Sequence, residues 1–403
     1  MPNIVQAVCE ANTGRDPQGL RLKLRKLRQD PFAFLRGTCQ RYYQAMPEPG
    51  WTGGAPVGWI CGDLHLENFG AYRSSQGKAR VDINDFDAAQ KAPLSWDVLR
   101  LLSSLRLACR ERGWGRDVQD AAGLRFVAMY AQALATTRHT LSRPACASRP
   151  LSDLLGDAQR GSTQQQMAKL IHQPQGKPRL KIDGERLMAI DDGPRDHIAH
   201  LLSQPAVGDA GWRRLRVKDA ALRLAGTGSL GLPRYLLLVK TDADPGRQLL
   251  DLKLATAPGV LATAQPAWPS EAHRIATLQQ RLQARPLKGL AALADGPRSW
   301  TLRPWQPPDL GLRATQVLAQ ADDLIPLLSD LARITAGAHK RGAGQDGAAT
   351  RQDMSTIAAT HADIWPAAWL HAERQATAQL ERDWRAYARA YDSGAFTALL
   401  QGS

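Results

Sequence analysis

The spacing of hydrophobic positions changes several times along this 403-residue chain, and each change predicts an element. Leu20, Leu24 and Leu27 recur at helical intervals among Arg and Lys, which predicts an amphipathic helix with a solvated basic face over Arg21–Arg28. Asp30-Pro31 restarts the chain, because proline suits a first helical turn, and Phe32–Thr38 follows as a packing or capping segment. Apolar runs at Pro56–Cys61 and Ala79–Ile83 predict two short strands. Trp96, Leu99 and Ser103 keep a helical spacing within a buried helix running from Pro93 to about Arg112, and residues 117–140 predict another. Residues 143–178 are rich in Ser, Pro, Gln and Gly and predict a long mobile loop or lid. Arg179–Ile190 alternates about Asp183-Gly184, which predicts a hairpin.

The second half repeats the contrast. Ala221–Ala225 and Tyr235–Val239 predict strands on either side of a glycine-rich loop, and Leu250, Leu252 and Leu254 alternate with Asp251 and Lys253 in a third strand. A helix is expected from Glu271 to about Arg285, and a strand over Ser299–Trp305 that runs into a proline-rich connector. Residues 310–342 and 355–400 predict helices, the latter anchored in the core by Trp365, Trp369, Trp384 and Tyr387. His197 and His200 lie three apart on a predicted helix and read as surface or core histidines, since no third metal ligand is suitably spaced.

Composition narrows the class. Apolar content of 43 % with 22 % charged residues is that of a globular protein with enough chain for two or three domains. No apolar run approaches the roughly 20 residues of a membrane span, and Met1–Val5 lacks the basic and apolar regions of a secretory signal. Cys9, Cys39, Cys61, Cys109 and Cys146 are odd in number and scattered, which fits a reducing cytoplasm. The net charge of +14 is spread along the chain, and binding of nucleic acid is not expected from it.

The candidate chemistry sits at 62–70, Gly-Asp-Leu-His-Leu-Glu-Asn-Phe-Gly, read with Ile83-Asn84-Asp85-Phe86-Asp87. Asp63 and Asn68 are five apart, the separation of the catalytic Asp and the metal-binding Asn in kinases, and a second acidic pair follows at Asp85 and Asp87. Such a set suits phosphoryl transfer. One carboxylate accepts the proton of an attacking hydroxyl, while an amide oxygen and further carboxylates hold Mg²⁺ against ATP phosphates. Downstream, Gly226, Gly228 and Gly231 satisfy G-x-G-x-x-G, with Thr227 and Ser229 between them. A β-leaning run follows instead of a helix, so the loop suits a glycine hairpin over phosphates better than a dinucleotide fold. Lys253 stands on a strand after that hairpin, where kinases keep a phosphate-contacting lysine, and Glu271 is the only acidic residue between Asp251 and Asp295 available to pair with it. Arg303 completes the nucleotide-side set, on the strand before the connector.

These pieces resemble the aminoglycoside phosphotransferases and choline kinases, where His-Gly-Asp-x-His-x-x-Asn precedes an Ile-Asp-Phe-Glu or Ile-Asp-Trp stretch; Cys61 stands here where the first His is usual. Trp96-Asp97-Val98 resembles a later aspartate that supports the catalytic loop in those enzymes, and Leu331–His339 resembles the helix that leads into it. There the glycine hairpin and Lys strand come first; here they come last, which implies a circular permutation. Asp30–Thr38, Gly62–Gly70, Ile83–Asp87, Gly226–Gly231 and Arg274–Gln283 further resemble a bacterial family catalogued as domain of unknown function 2252. The resemblance implies an α+β, two-lobed, protein-kinase-like fold. Residues 1–50 would be an N-terminal helical segment, 51–205 the catalytic-loop part, 206–310 a small β-rich nucleotide lobe, and 311–403 the helical remainder. It implies an ATP- and Mg²⁺-dependent phosphotransferase acting on a hydroxyl or amine. Asp63 and Asn68 would be catalytic, and Asn68, Asp85 and Asp87 would bind metal. Gly226, Thr227, Gly228, Ser229, Gly231, Lys253, Glu271 and Arg303 would hold the nucleotide. AMP transfer from the same site, or a non-catalytic nucleotide-binding scaffold, are the alternatives.

Overall fold

The computed structural model describes residues 3–46, 53–74, 78–136, 146–160, 162–241, 247–314 and 321–401. Strands β1 (Val57–Ile60) and β4 (Gln90–Pro93) pair antiparallel, and so do β2 (Phe69–Arg73) and β3 (Ala79–Ile83). A further two-stranded pair joins β5 (Ile171–His172) to β6 (Arg179–Leu180). The main sheet contains β7 (Leu187–Met188), β8 (Arg216–Arg223), β9 (Arg234–Lys240), β10 (Arg247–Leu254), β11 (Ala291–Asp295) and β12 (Arg298–Pro304). It is antiparallel throughout, in the order β11-β12-β10-β9-β8-β7.

Both faces of this sheet are covered. Leu237, Val239, Leu250, Leu252, Trp300 and Leu302 pack with Ile198, Leu201 and Val207 of the helices Asp192–Leu202 and Pro205–Asp209. Leu236, Leu238 and Leu249 pack on the opposite face with Leu180, Leu187 and Trp305. Burial on both faces explains the unalternating Leu236-Leu237-Leu238-Val239 run of β9. In β10, the pleat sends Asp251 and Lys253 to the same face as Leu249, and both are buried. The β7 strand and the helix Asp192–Leu202 belong to this layer, so it begins earlier in the chain than residue 206.

The larger core is helical. It takes in the helices Ser95–Glu111, Arg116–Ala135, Leu324–Arg341 and Trp365–Asp392, together with Trp59 of β1. Trp365 and Trp369 stack with centroids 4.5 Å apart. Tyr387 lies against Phe34 and donates its hydroxyl to Leu24 O at 2.8 Å. The N-terminal helices Pro17–Gln29 and Pro31–Gly37 are thereby fixed to the helix Trp365–Asp392. Trp365, Trp369 and Tyr387 are the expected anchors, while Trp384 is only partly buried.

Several sequence expectations need correction. Residues 146–178 are not one loop: they form the helices Arg149–Gln159 and Ser162–Leu170 and strand β5, and residues 143–145 lie outside the described residues. Leu151, Leu154 and Ala158 keep a helical spacing and are buried, so a thin apolar stripe hidden in polar composition decided the structure. Arg179–Ile190 is not a hairpin. Its ends join different sheets, and Asp183 Oδ1 turns the chain between them by accepting the amides of Glu185, Arg186 and Leu187 at 3.0, 2.7 and 2.9 Å. The helix expected over 310–342 is observed from Leu324 to Arg341, with short turns at Pro308–Leu310 and Ala321–Asp323 before it; residues 315–320 lie outside the described residues, as do 137–140 of the helix expected to end at 140. Residues 355–400 form parts of three helices, Arg351–Thr360, Trp365–Asp392 and Thr397–Gln401. Strand β11 had no clear alternation to announce it. All five cysteines are free, and among the described residues no helix is long and apolar enough to cross a membrane.

Candidate functional site

The segment 61–68 joins β1 to β2, and 84–89 joins β3 to β4. Because β1 pairs with β4 and β2 with β3, the two connections lie side by side. Their contact is tight at Gly62. Its φ is +80°, and a Cβ there would fall 2.0 Å from Ala88 O, so only glycine is accommodated. Asp97, in the first turn of the helix Ser95–Glu111, braces the first connection. Its Oδ2 accepts the Cys61 amide and its Oδ1 the Gly62 amide, each at 2.9 Å. His339 Nε2 lies 3.2 Å from Asp97 Oδ2, and Tyr130 OH lies 2.8 Å from His339 Nδ1. The loop-supporting role that the resemblance implied for Asp97 is thus visible in its contacts.

Asp63 is held from below by Arg100, whose Nε donates to Oδ1 at 2.7 Å and whose Nη2 donates to Leu35 O at 2.7 Å. Arg100 is fully buried, with its guanidinium over the Tyr42 ring at 5.0 Å. The Cys39 thiol donates to Gly62 O at 3.3 Å beside the Asp63 carboxylate. Burial pushes the Asp63 carboxyl above its ordinary value, and the Arg100 charge opposes that rise. Burial also holds the His65 imidazole well below its usual range, aided by Arg36 and Arg100. Asn68 donates its amide to Asp63 O, which leaves Asn68 Oδ1 without a protein donor among the described residues.

In the second connection, Asp85 Oδ1 accepts the Asp87 amide at 3.2 Å, and Asp87 pairs with Lys253 of β10. Burial would raise the Asp87 carboxyl, but Lys253, Arg303 and Arg234 hold it below the usual carboxylate range. The connection is also clasped by the helix Glu271–Leu282. Arg274 donates to Ala89 O at 2.5 Å, to Asp87 O at 2.7 Å and to Thr256 O at 3.0 Å.

The glycine-rich loop joins β8 to β9, as its sequence suggested. Gly226 and Gly231 have φ of +78° and +84°, and Ser229 N closes a turn on Gly226 O at 3.0 Å. The amides of Thr227 and Gly228 donate to no protein acceptor among the described residues. The loop also rests on the N-terminal segment. Asp16 N donates to Gly231 O at 2.9 Å, and Arg15 Nη1 and Lys23 Nζ both donate to Gly228 O at 2.9 Å.

These connections enclose a cleft of about 380 Å³, lined among others by Asp63, Asn68, Asp85, Asp87 and Gly226–Ser229. Lys253 reaches the edge of the cleft through Asp87. Gly231 faces the N-terminal segment instead. Two further expected nucleotide contacts also lie elsewhere. Glu271 pairs with Arg274 at 2.7 Å rather than with Lys253, because Asp87 is the carboxylate that Lys253 meets. Arg303 donates to Asn84 O at 3.2 Å and approaches Asp251 at 3.7 Å. Among the described residues no three His, Cys, Asp or Glu side chains gather as a metal cage. The free oxygens of Asn68 and Asp85 nevertheless suit Mg²⁺, which usually takes one or two carboxylates and completes its shell with water and phosphate.

Sequence reading gave no site role to Arg100, Arg274, Arg15 and Lys23. Arg100 had a signal, since it interrupts the apolar run Val98-Leu99-Arg100-Leu101-Leu102 of a buried helix. Lys23 had one too, because it lies three residues after Leu20 and four before Leu27, on their face of the helix.

No curated protein and no solved structure matches this chain. Residues 15–390 match a bacterial protein family, and over that span the chain belongs to the family described as "uncharacterized protein conserved in bacteria (DUF2252)".

Proposed function

We propose that the chain is a kinase-like phosphotransferase that moves the terminal phosphoryl group of ATP to a hydroxyl or amine acceptor. One observation carries the reading: Asp63, Asn68, Asp85 and Gly226–Ser229, from segments more than a hundred residues apart, line one cleft, with Lys253 at its edge. The pairing of β1 with β4 and of β2 with β3, which sets the two acidic connections side by side, supports it further. A permuted, two-lobed kinase arrangement accounts for a glycine loop that comes late in the chain yet borders the acidic loops.

In this reading Asp63 is the general base. Arg100 occupies its Oδ1, so Oδ2 is the oxygen available to the acceptor. The acceptor oxygen or nitrogen attacks the terminal phosphorus, the bond from that phosphorus to the bridging oxygen of ADP breaks, and the acceptor proton passes to Asp63. Lys253 and the Thr227 and Gly228 amides hold the phosphates. Asn68 and Asp85 would hold Mg²⁺, with Asp87 as a further carboxylate. When bound, the ion neutralises charge on the phosphate oxygens.

Thermal melting with and without ATP and Mg²⁺ tests the binding half. A ligand at a hundred times its Kd stabilises by about 2.7 kcal/mol, and Asp85→Asn should remove most of the metal-dependent shift. No shift with any purine nucleotide would leave the chain a scaffold. Mass spectrometry of candidate acceptors after incubation with ATP tests the transfer half, since a phosphate adduct supports the reading and an AMP adduct replaces it with nucleotidyl transfer.

A further inference from the structure

Four basic residues line the cleft: Arg15, Lys23, Arg36 and Arg41. Arg36 pairs with Glu67 and Arg41 with Asp383. Arg15 and Lys23 form no ion pair among the described residues. Lys23 is 3 % exposed, and its ammonium has one protein acceptor, Gly228 O. Arg15 is half-buried and spends one nitrogen on Gly228 O and Leu230 O, at 2.9 and 2.6 Å. The remaining N–H groups of both side chains have no protein acceptor among the described residues.

Burying two cations side by side is unfavourable unless a counter-charge joins them, and a shared carbonyl dipole offsets only part of that penalty. Burial accordingly depresses the Lys23 ammonium well below its usual range, with Arg15 adding to the effect, and brings Arg15 down to about 10. The counter-charge that Lys23 feels is Asp63. Arg15, Lys23 and Asp63 line the same cleft, and both cations hold the Gly228 carbonyl of the glycine-rich loop.

We propose that Arg15 and Lys23 form a phosphate-binding pair, which takes a phosphoryl group between Gly228 and Asp63. The choice of phosphate over other anions rests on the transfer reading above; the unpaired cations do not. Phosphate offers several acceptor oxygens to the free N–H donors of both side chains, as charge-assisted hydrogen bonds. The N-terminal segment is then part of the binding site, and its grip on the glycine-rich loop couples loop position to phosphate occupancy.

Isothermal titration of the full chain with sodium tripolyphosphate, ATP and ADP tests the pair, alongside thermal melting without ligand. Lys23→Met should weaken tripolyphosphate binding roughly ten-fold or more and reduce its dependence on salt, while the unliganded melting temperature stays level or rises. Lys23→Arg should retain part of the affinity. A loss with ATP that ADP does not share assigns the terminal phosphate; an equal loss with both assigns an inner one. Unchanged affinity in Lys23→Met overturns the pair, and so does a fall in melting temperature that accounts for the lost binding, which would make Lys23 a structural tie for the Gly228 carbonyl. If Lys23→Met does not fold by circular dichroism, Arg15→Gln carries the same expectations from its half-exposed position. Lys23-dependent binding of tripolyphosphate without any transfer from ATP would keep the pair and sink the phosphotransferase reading. Transfer at full rate with undiminished affinity in Lys23→Met would do the reverse.

Discussion

Asp63 is asymmetric: Arg100 holds one carboxylate oxygen, Cys39 lies beside the carboxylate, and the residue lines the cleft. That arrangement separates the roles of neighbouring side chains. In the proposed mechanism, Asp63→Asn lowers turnover roughly 10²-fold or more with nucleotide affinity little changed, because there it removes a base and not a phosphate contact. Lys253→Ala should weaken nucleotide binding as well, and equal losses of affinity in the two variants would contradict the assignment. Arg100 acts through Asp63, so its signature is a pH profile. Burial raises the Asp63 carboxyl and Arg100 opposes the rise; removing the guanidinium lets the ionisation move further up. The acid limb of turnover in Arg100→Met should therefore shift to higher pH, and Arg100→Lys, which keeps a cation beside Asp63, should show a smaller shift. A limb that stays in place would leave Arg100 a packing residue only.

Among elements, the main sheet is tied around one carboxylate. Asp251 on β10 is 2 % exposed and meets Arg234 at the start of β9 and Arg223 on β8 at 2.9 Å, with Arg303 of β12 at 3.7 Å. Burial alone would raise its pKa, but Arg234, Arg223 and Arg303 hold it far below the ordinary carboxylate range. Its stabilisation is present above the ordinary carboxylate pKa and is lost as pH falls through the depressed value. Asp251→Asn leaves three arginines facing one another and should cost about 3–5 kcal/mol near neutrality in urea unfolding, with the deficit shrinking in acid. A pH-independent deficit would mean that packing, not charge, sets its size. The same strands show what alternation can tell. The apolar face of β10 was legible, but the burial of its polar face was not, since period two separates faces without saying what covers them. The Arg149–Gln159 helix was hidden for the opposite reason: three buried apolar residues per three turns are outweighed by Ser, Gln and Gly in any composition window. Loop chemistry was the most legible part. Asp63, Asn68, Asp85 and the glycine-rich loop carry their spacing in the chain itself, whereas Arg100, Lys23 and Arg274 act across it and are visible only as charges on apolar faces.

At the scale of the molecule, a sheet with its own two packing faces meets a helical core, and the cleft lies where the loops of both converge. Lys253 reaches Asp87 across this junction, and the helix Glu271–Leu282 fastens it. Ile275, Leu278 and Leu282 of that helix belong to the helical core, its Ala272 amide donates to Ser299 Oγ of β12 at 3.0 Å, and Arg274 binds carbonyls on both sides. Further along, Gln283 Nε2 donates to Ile83 O and the Ala284 amide to Asp82 Oδ2, each at 2.8 Å. Glu271 belongs to this joint, where it aligns the Arg274 guanidinium. Arg274→Leu strips donors from three carbonyls, of which Ala89 O and Asp87 O belong to the acidic connection. The effect should be local, because the hydrophobic contacts of the helix remain. Hydrogen exchange should accelerate over residues 84–90 and 255–260, while β9 and β10 keep their protection. Affinity for ATP with Mg²⁺ should fall in step, since Asp85 loses its fixed position. Faster exchange spread evenly over the sheet would show that Arg274 supports global stability instead, and unchanged exchange at 84–90 would remove it from the site altogether.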